Sequence, residues 1–226
     1  MERTLYHFPL DPASRQARLA LGEKRLPFVD VVVRYWEQPE DVEALNPSGV
    51  LPVLVEVENG RRTVVCELRA ILEHLEEQYP HPPLLGPEAA DRAEARRFMQ
   101  WFDTKFTYEV NALLLHEKLE KRLTKMGAPD LSNMRLGRDA LKVHLTYLER
   151  LLAVRDYLAG RRLSYADFAA AANISVIDYF GDLPWRDVPA VKTWYMKVKS
   201  RPAFRPLLAD RWPGLAPAGH YDDLDF

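Results

Sequence analysis

Asn46-Pro47-Ser48-Gly49-Val50-Leu51-Pro52-Val53-Leu54-Val55, closed further on by Val64-Val65-Cys66-Glu67-Leu68-Arg69-Ala70-Ile71-Leu72, is the stretch on which the fold turns. Pro52 stands before an apolar run, and a missing N–H is tolerable at the first position of a strand. Val53–Glu58 and residues 63–66 read as two strands joined at Asn59-Gly60, a strong hairpin signal. Residues 67–79 then take on helical spacing, and Pro80-His81-Pro82-Pro83 stops them. The segment is therefore a hairpin running straight into a helix.

Upstream, residues 4–8 are β-branched and aromatic, and Pro9-Leu10-Asp11-Pro12 breaks them. Residues 14–24 set Ala17, Leu19, Ala20 and Leu21 against Arg15, Gln16, Arg18 and Glu23, an amphipathic helix. Residues 28–33 form a second apolar strand, and residues 40–45 a short helix before Asn46-Pro47. The order β-α-β-(α)-β-β-α predicts a thioredoxin-like domain, in which a βαβ unit and a closing hairpin share one mixed sheet. Downstream of Pro87 the pattern turns helical, over 87–123, 134–153, 165–179 and 188–198, with breaks at Gly127-Ala128-Pro129-Asp130 and Gly160-Arg161-Arg162. Ser164 and Asp167 form a capping box ahead of the small-residue run Phe168-Ala169-Ala170-Ala171-Ala172, which suits a buried helix. The expected class is α/β plus all-α: a thioredoxin-like domain over 1–80, a linker at 81–86, a helical bundle over 87–211 and an extended acidic tail over 212–226.

Bulk properties restrict the function classes. With 226 residues, 47% hydrophobic and 28% charged, the chain has the composition of an ordinary globular protein. A formal net charge of −2 gives no global attraction to nucleic acid. No apolar run reaches the roughly 20 residues of a membrane-spanning helix. One cysteine, Cys66, and an N-terminus without a signal-peptide pattern lead to the expectation of a cytoplasmic protein. The six histidines show no metal-ligand spacing, so no metal is expected. Cys66 itself reads as a small buried hydrophobe. The charged run 117–125 reads as a solvated helix face, with a basic docking patch as the sharper alternative.

Three motifs carry a family resemblance over about residues 4–208. They are Leu5-Tyr6-His7-Phe8-Pro9-Leu10-Asp11-Pro12-Ala13-Ser14-Arg15, the segment from Asn46 to Leu54, and Leu163-Ser164-Tyr165-Ala166-Asp167-Phe168. In this order they resemble the glutathione S-transferase superfamily. The resemblance implies a cis Leu51-Pro52 bond exposing the Leu51 backbone to the cysteinyl part of glutathione. It also implies a γ-glutamyl carboxylate site at Glu67-Leu68, where the family normally has a serine after the acid. Leu68 cannot donate that hydrogen bond. Losing a buried polar partner costs about 1–3 kcal/mol, or roughly 5- to 150-fold in affinity. Near Asp11 the family carries a thiol or hydroxyl that activates the glutathione sulfur, whereas a carboxylate would raise a thiolate's pKa. Asp11 reads as a helix cap. Asp11, Leu51, Pro52, Glu67 and Leu68 are thus expected to form a degenerate glutathione site, with glutathione binding doubtful and no catalytic residue assigned. Ser14, at a helix start beside Arg15, and Tyr6, inside strand one, are the residual catalytic candidates. Capping and half-buried packing are their plainer roles.

Two features suit partner binding. Tyr35 and Trp36 place large aromatics in a polar loop, and such residues are core lids or interface anchors. Asp222, Asp223, Asp225 and Phe226 belong to a tail whose acidic and apolar residues alternate. Together with the damaged site, these features resemble a subgroup of the superfamily, alphaproteobacterial division proteins that bind the tubulin-like protein FtsZ. That resemblance implies a non-catalytic homodimer acting on FtsZ polymers at the division site and regulating constriction, without membrane insertion. The alternatives are an active glutathione transferase or thiol-dependent isomerase using Ser14 or Tyr6, and a non-catalytic carrier of a hydrophobic ligand.

Overall fold

The computed structural model describes residues 1–224; Asp225 and Phe226, both partner candidates, lie outside the described residues. By contact the chain divides into two units. One is Met1–Leu84 with Pro202–Asp210, and the other is Leu85–Arg201 with the segment that begins at Arg211.

In the first unit, β1 (Glu2–His7), α1 (Pro12–Glu23), β2 (Val29–Val32), α2 (Glu40–Leu45), β3 (Val53–Glu58), β4 (Arg61–Cys66) and α3 (Leu68–Gln78) follow in order. The sheet runs β2-β1-β3-β4, with β1 parallel to β2 and the other pairs antiparallel. This is the mixed sheet that the sequence predicts. The β3–β4 hairpin turns at Asn59 and Gly60 with φ of 51° and 78°, a backbone that asparagine and glycine tolerate better than other residues. Leu68, Ile71, Leu72 and Leu75 repeat at helical spacing and are the buried residues of α3. Buried Arg3 is matched across the sheet by Glu56, at 2.7 Å, and Tyr79 Oη donates to the same carboxylate at 2.9 Å.

By contact the 202–210 segment groups with the first unit. Asp210 receives Arg18 Nη1 at 2.8 Å and Nη2 at 3.0 Å, and Arg15 Nη2 at 3.2 Å. A Cβ on Gly22 would lie 3.0 Å from Ala203 Cβ, so glycine permits the close approach of this segment to α1. Helix α10 (Arg205–Leu208) belongs to it.

The second unit opens with α4 (Ala89–Trp101), α5 (Ala112–Leu115) and α6 (Lys121–Thr124) in one continuous helical run. Between them, Phe102–Asn111 and His116–Glu120 adopt wider turns with i→i+5 bonding, which the sequence does not announce. Thr107 Oγ1 donates to Phe102 O, five residues back, at 2.8 Å. Helix α7 (Leu131–Leu152) starts at Asp130, whose carboxylate caps Ser132 N–H at 2.7 Å. Every residue of α8 (Tyr165–Tyr179) is buried, as its alanine run predicts. Ser164 N–H donates to Asp167 Oδ2 at 2.9 Å, and Asp167 Oδ1 accepts from Leu158 N–H and from Trp194 Nε1 on α9 (Pro189–Lys199), both at 2.9 Å. The capping acid thereby also ties together α8, α9 and the loop before them.

The C-terminal segment is packed over its described residues, 212–224. Leu215 is 4% exposed and Tyr221 is fully buried, with its ring 5.1 Å from that of Tyr179. Ala218 N–H donates to Tyr179 O at 2.8 Å, His220 Nε2 meets Asp178 Oδ1 at 2.9 Å, and Lys199 Nζ donates to Asp223 O at 2.6 Å. An irregular Pro/Gly-rich segment has no periodicity from which such packing could be read.

Candidate functional site: a glutathione-type turn with its polar groups spent

The first cluster forms where β1 gives way to α1. Asp11 is the N-cap residue: its carboxylate accepts from Ala13 N–H at 3.3 Å and Ser14 N–H at 2.8 Å. Burial holds this carboxyl above the ordinary carboxylate range, against the bonds from Ser14 and Ala13. Ser14 lies inside the first turn of α1, fully buried, rather than capping it. Its hydroxyl donates to Asp11 Oδ2 at 2.6 Å and accepts from Phe8 N–H at 3.2 Å. Both bonds are made within the turn. Tyr6 is half-buried in β1, in register with Val31 and Val53, which is the packing role.

The second cluster gathers around the Leu51-Pro52 bond, which is cis as the resemblance implies. Asn46 Nδ2 donates to Val50 O at 2.9 Å and Ser48 N–H to Asn46 Oδ1 at 3.3 Å, so the loop before the proline is braced by its own side chains. Glu67 N–H donates to Pro52 O at 3.1 Å, and Ser48 Oγ to Glu67 Oε1 at 3.2 Å. Glu67 has φ 69° and ψ 146°, a conformation costly for a residue with a Cβ. Such strain persists where the surroundings impose it, and here it points the chain into α3. Leu68 occupies the first position of α3 and is 9% exposed, an apolar side chain folded into the unit.

Cys66 is no activated thiol. Its Sγ lies 3.3 Å from Leu45 O, and burial, then the Glu67 carboxylate, push it above its ordinary value. Among the described residues, no three His, Cys, Asp or Glu side chains gather as a metal site.

The partner-binding candidates separate. The Phe8 ring meets Tyr35 edge-on at 5.6 Å and Trp36 at 5.4 Å, so these two aromatics are half-buried in a three-ring cluster. Asp222 pairs with Arg211 on the surface, and Asp223 is held through its backbone carbonyl by Lys199.

The sequence reading missed three titratable side chains that organise these elements. Asp210 anchors Arg15 and Arg18. Asp178 receives Trp185 Nε1 at 3.0 Å, Tyr195 Oη at 3.3 Å and His220. His7 lies 2% exposed beneath α1. Asp178 and Asp210 stand in no motif and His7 drew no role from the one that contains it; only partners distant along the chain reveal what each does.

Residues 5–83 match the N-terminal domain of glutathione S-transferase and residues 114–211 its C-terminal domain. The chain is 70% identical to FtsZ-localized protein A of Caulobacter vibrioides, over all of this chain and 99% of that protein. A solved structure of FzlA from C. crescentus superimposes with a TM-score of 0.99, covering each chain completely. A glutathione S-transferase from Rhodospirillum rubrum superimposes with a TM-score of 0.96 at 49% identity, covering 99% of this chain and all of that one. Two domain matches in family order, a mixed sheet followed by a helical unit and full-length likeness at such identity mean that this chain belongs to the glutathione S-transferase family.

Proposed function

We propose that this chain is an FtsZ-associated division protein. In this reading it is a homodimer of transferase fold that binds FtsZ polymers at the division site and regulates constriction without glutathione chemistry. The observation that carries the proposal is the 70% identity, over its whole length, to a protein named for its localisation with FtsZ. The site's chemistry supports it. A serine that both donates and accepts within its own turn has no free proton donor for a thiolate. Leu68 supplies no hydroxyl to a γ-glutamyl carboxylate, and the Cys66 thiol is pushed away from the thiolate form. A two-fold protein presents each docking patch twice and bridges neighbouring positions of a polymer by effective concentration.

Co-sedimentation with FtsZ polymers tests the proposal. The wild type is expected in the pellet only when FtsZ is polymerised, with less pelleting for Trp36→Ala and for Asp225→Lys. A wild-type chain that stays in the supernatant refutes the partner; two variants that pellet normally refute the assigned contacts.

A second reading, weak glutathione binding, is favoured by the retained cis turn at Leu51-Pro52 and the strained Glu67 backbone, because the family contacts made there are backbone contacts. Calorimetry with glutathione up to millimolar concentration separates the two. Micromolar binding accompanied by turnover of a chlorodinitrobenzene-type electrophile overturns the non-catalytic proposal.

A further inference from the structure

Strand β2 is an outer strand of the sheet, and among the described residues no strand lies beyond it. Val33 N–H donates to His7 O at 2.8 Å, on the β1 side. Backbone direction alternates along a strand, so Asp30 and Val32 turn their N–H and C=O groups outward. Val29 and Val32 are 63% and 50% exposed, which leaves the edge open, with valines on either side of Asp30. Native proteins usually blunt such an edge with lysine, proline or a covering element, and Val29–Val32 contains neither residue.

Beside this edge lies a groove of about 370 Å³. Its apolar lining includes Leu26, Pro27, Phe28, Pro202, Pro206 and Leu207. The charged side chains at its wall are Arg18 and Asp30, and they differ in how they are matched. Arg18 is neutralised by the bidentate contact with Asp210. Asp30, 53% exposed at its side chain, has the imidazole of His7 as its ion-pair neighbour, with Nε2 3.0 Å from Oδ1. Burial, then the charge of Arg18, hold that imidazole down at about 4, so at neutral pH it carries no charge to offset Asp30. The groove thus combines an apolar trough, an open backbone edge and an unneutralised carboxylate at its rim.

We propose that this edge and groove form a docking site for an extended apolar peptide segment carrying a lysine or arginine, which adds to the sheet along β2 and sets its cation on Asp30. Main-chain bonds to Asp30 and Val32 supply affinity in such strand addition, and side-chain pockets supply selectivity. Asp30 of β2 and Phe28, just before the strand, both line the groove, so alternate side chains of the added strand fall over it. The proposal does not rest on the FtsZ reading and stands or falls independently of it.

Random peptides displayed on phage, selected on the full chain and resynthesised for fluorescence anisotropy, test the site. Recovered sequences are expected to place Lys or Arg within a run of β-branched or aromatic residues. Asp30→Lys should weaken their binding by about tenfold or more. Hydrogen exchange of the complex should show new protection at the Asp30 and Val32 amides. Val32→Pro removes one outward donor and should weaken binding too, with a thermal melt showing that the variant folds. Recovery of no basic peptide, equal binding by Asp30→Lys, or protection confined to other strands overturns the proposal. Concentration-dependent self-association of the free chain that Val32→Pro abolishes would assign the edge to a second copy and also overturn it.

Discussion

The Ser14 hydroxyl accepts from Phe8 N–H and donates to Asp11, two bonds sealed in the core of the first unit. Ser14→Ala is therefore expected to cost about 1–3 kcal/mol, since it leaves a buried N–H without an acceptor. Urea unfolding checks this, and a neutral substitution would return Ser14 to the list of free hydroxyls. His7 predicts a pH dependence. Its folded value of about 4 lies below the ordinary 6.5. Between those values the unfolded chain binds a proton that the folded chain refuses, so stability rises with pH in this window. The full difference amounts to about 3 kcal/mol. His7→Gln should flatten that part of the stability–pH slope between pH 4 and 6.5, and an unchanged slope would show that His7 titrates normally. Residue identity made Leu68 legible as a lost donor and Asp11 as a cap. The burial that silences Ser14 and His7 came from elements that pack over them.

At the scale of elements, local signals were mostly sufficient. The Asn59-Gly60 turn and the Ser164–Asp167 box each mark a boundary with side chains next to it, and β3 and α8 end and begin where the sequence puts them, while β4 starts two residues and α7 three residues earlier than its spacing predicts. The wide turns at Phe102–Asn111 and His116–Glu120 were not legible, because apolar spacing over 87–123 is compatible with both windings. Helix contacts depend on single small residues in the same way. A Cβ on Gly137 of α7 would stand 2.8 Å from Leu114 Cγ and 3.0 Å from Leu113 Cβ. Alanine gains about 1 kcal/mol in helix propensity over glycine, while overpacking costs about 1–3 kcal/mol. Leu114 is 1% exposed and has little room to yield, so the packing cost decides. Gly137→Ala is expected to lower the melting temperature, and a raised one would mean that α5 and α7 separate at little cost.

At the scale of the whole molecule, family membership rests on full-length likeness, while the FtsZ role and the dimer are the proposal that co-sedimentation tests. The C-terminal segment shows how the two kinds of information divide. Tyr221→Ala empties a fully buried site against Tyr179 and Lys199, and loss of a buried aromatic side chain costs about 3–5 kcal/mol. Proteolysis should then cut the 212–224 segment faster in the variant than in the wild type; equal rates would mean that the other anchors hold it alone. The sequence by itself determined the element order, the Asp11 cap, the Ser164–Asp167 box and the hairpin, because each is written in neighbouring residues, whereas the cis Leu51-Pro52 turn and the missing serine at position 68 followed from the family resemblance. Only the tertiary structure decided that 202–210 joins the first unit and that residues 212–224 are packed. It also decided that Ser14 is spent and that Asp30 stands unneutralised beside an open edge. Those outcomes depend on charges and rings brought together from far apart along the chain, such as Arg18 with Asp210 and Lys199 with Asp223. Their energies come from shared burial, and burial is set by the fold as a whole rather than by any local run of residues.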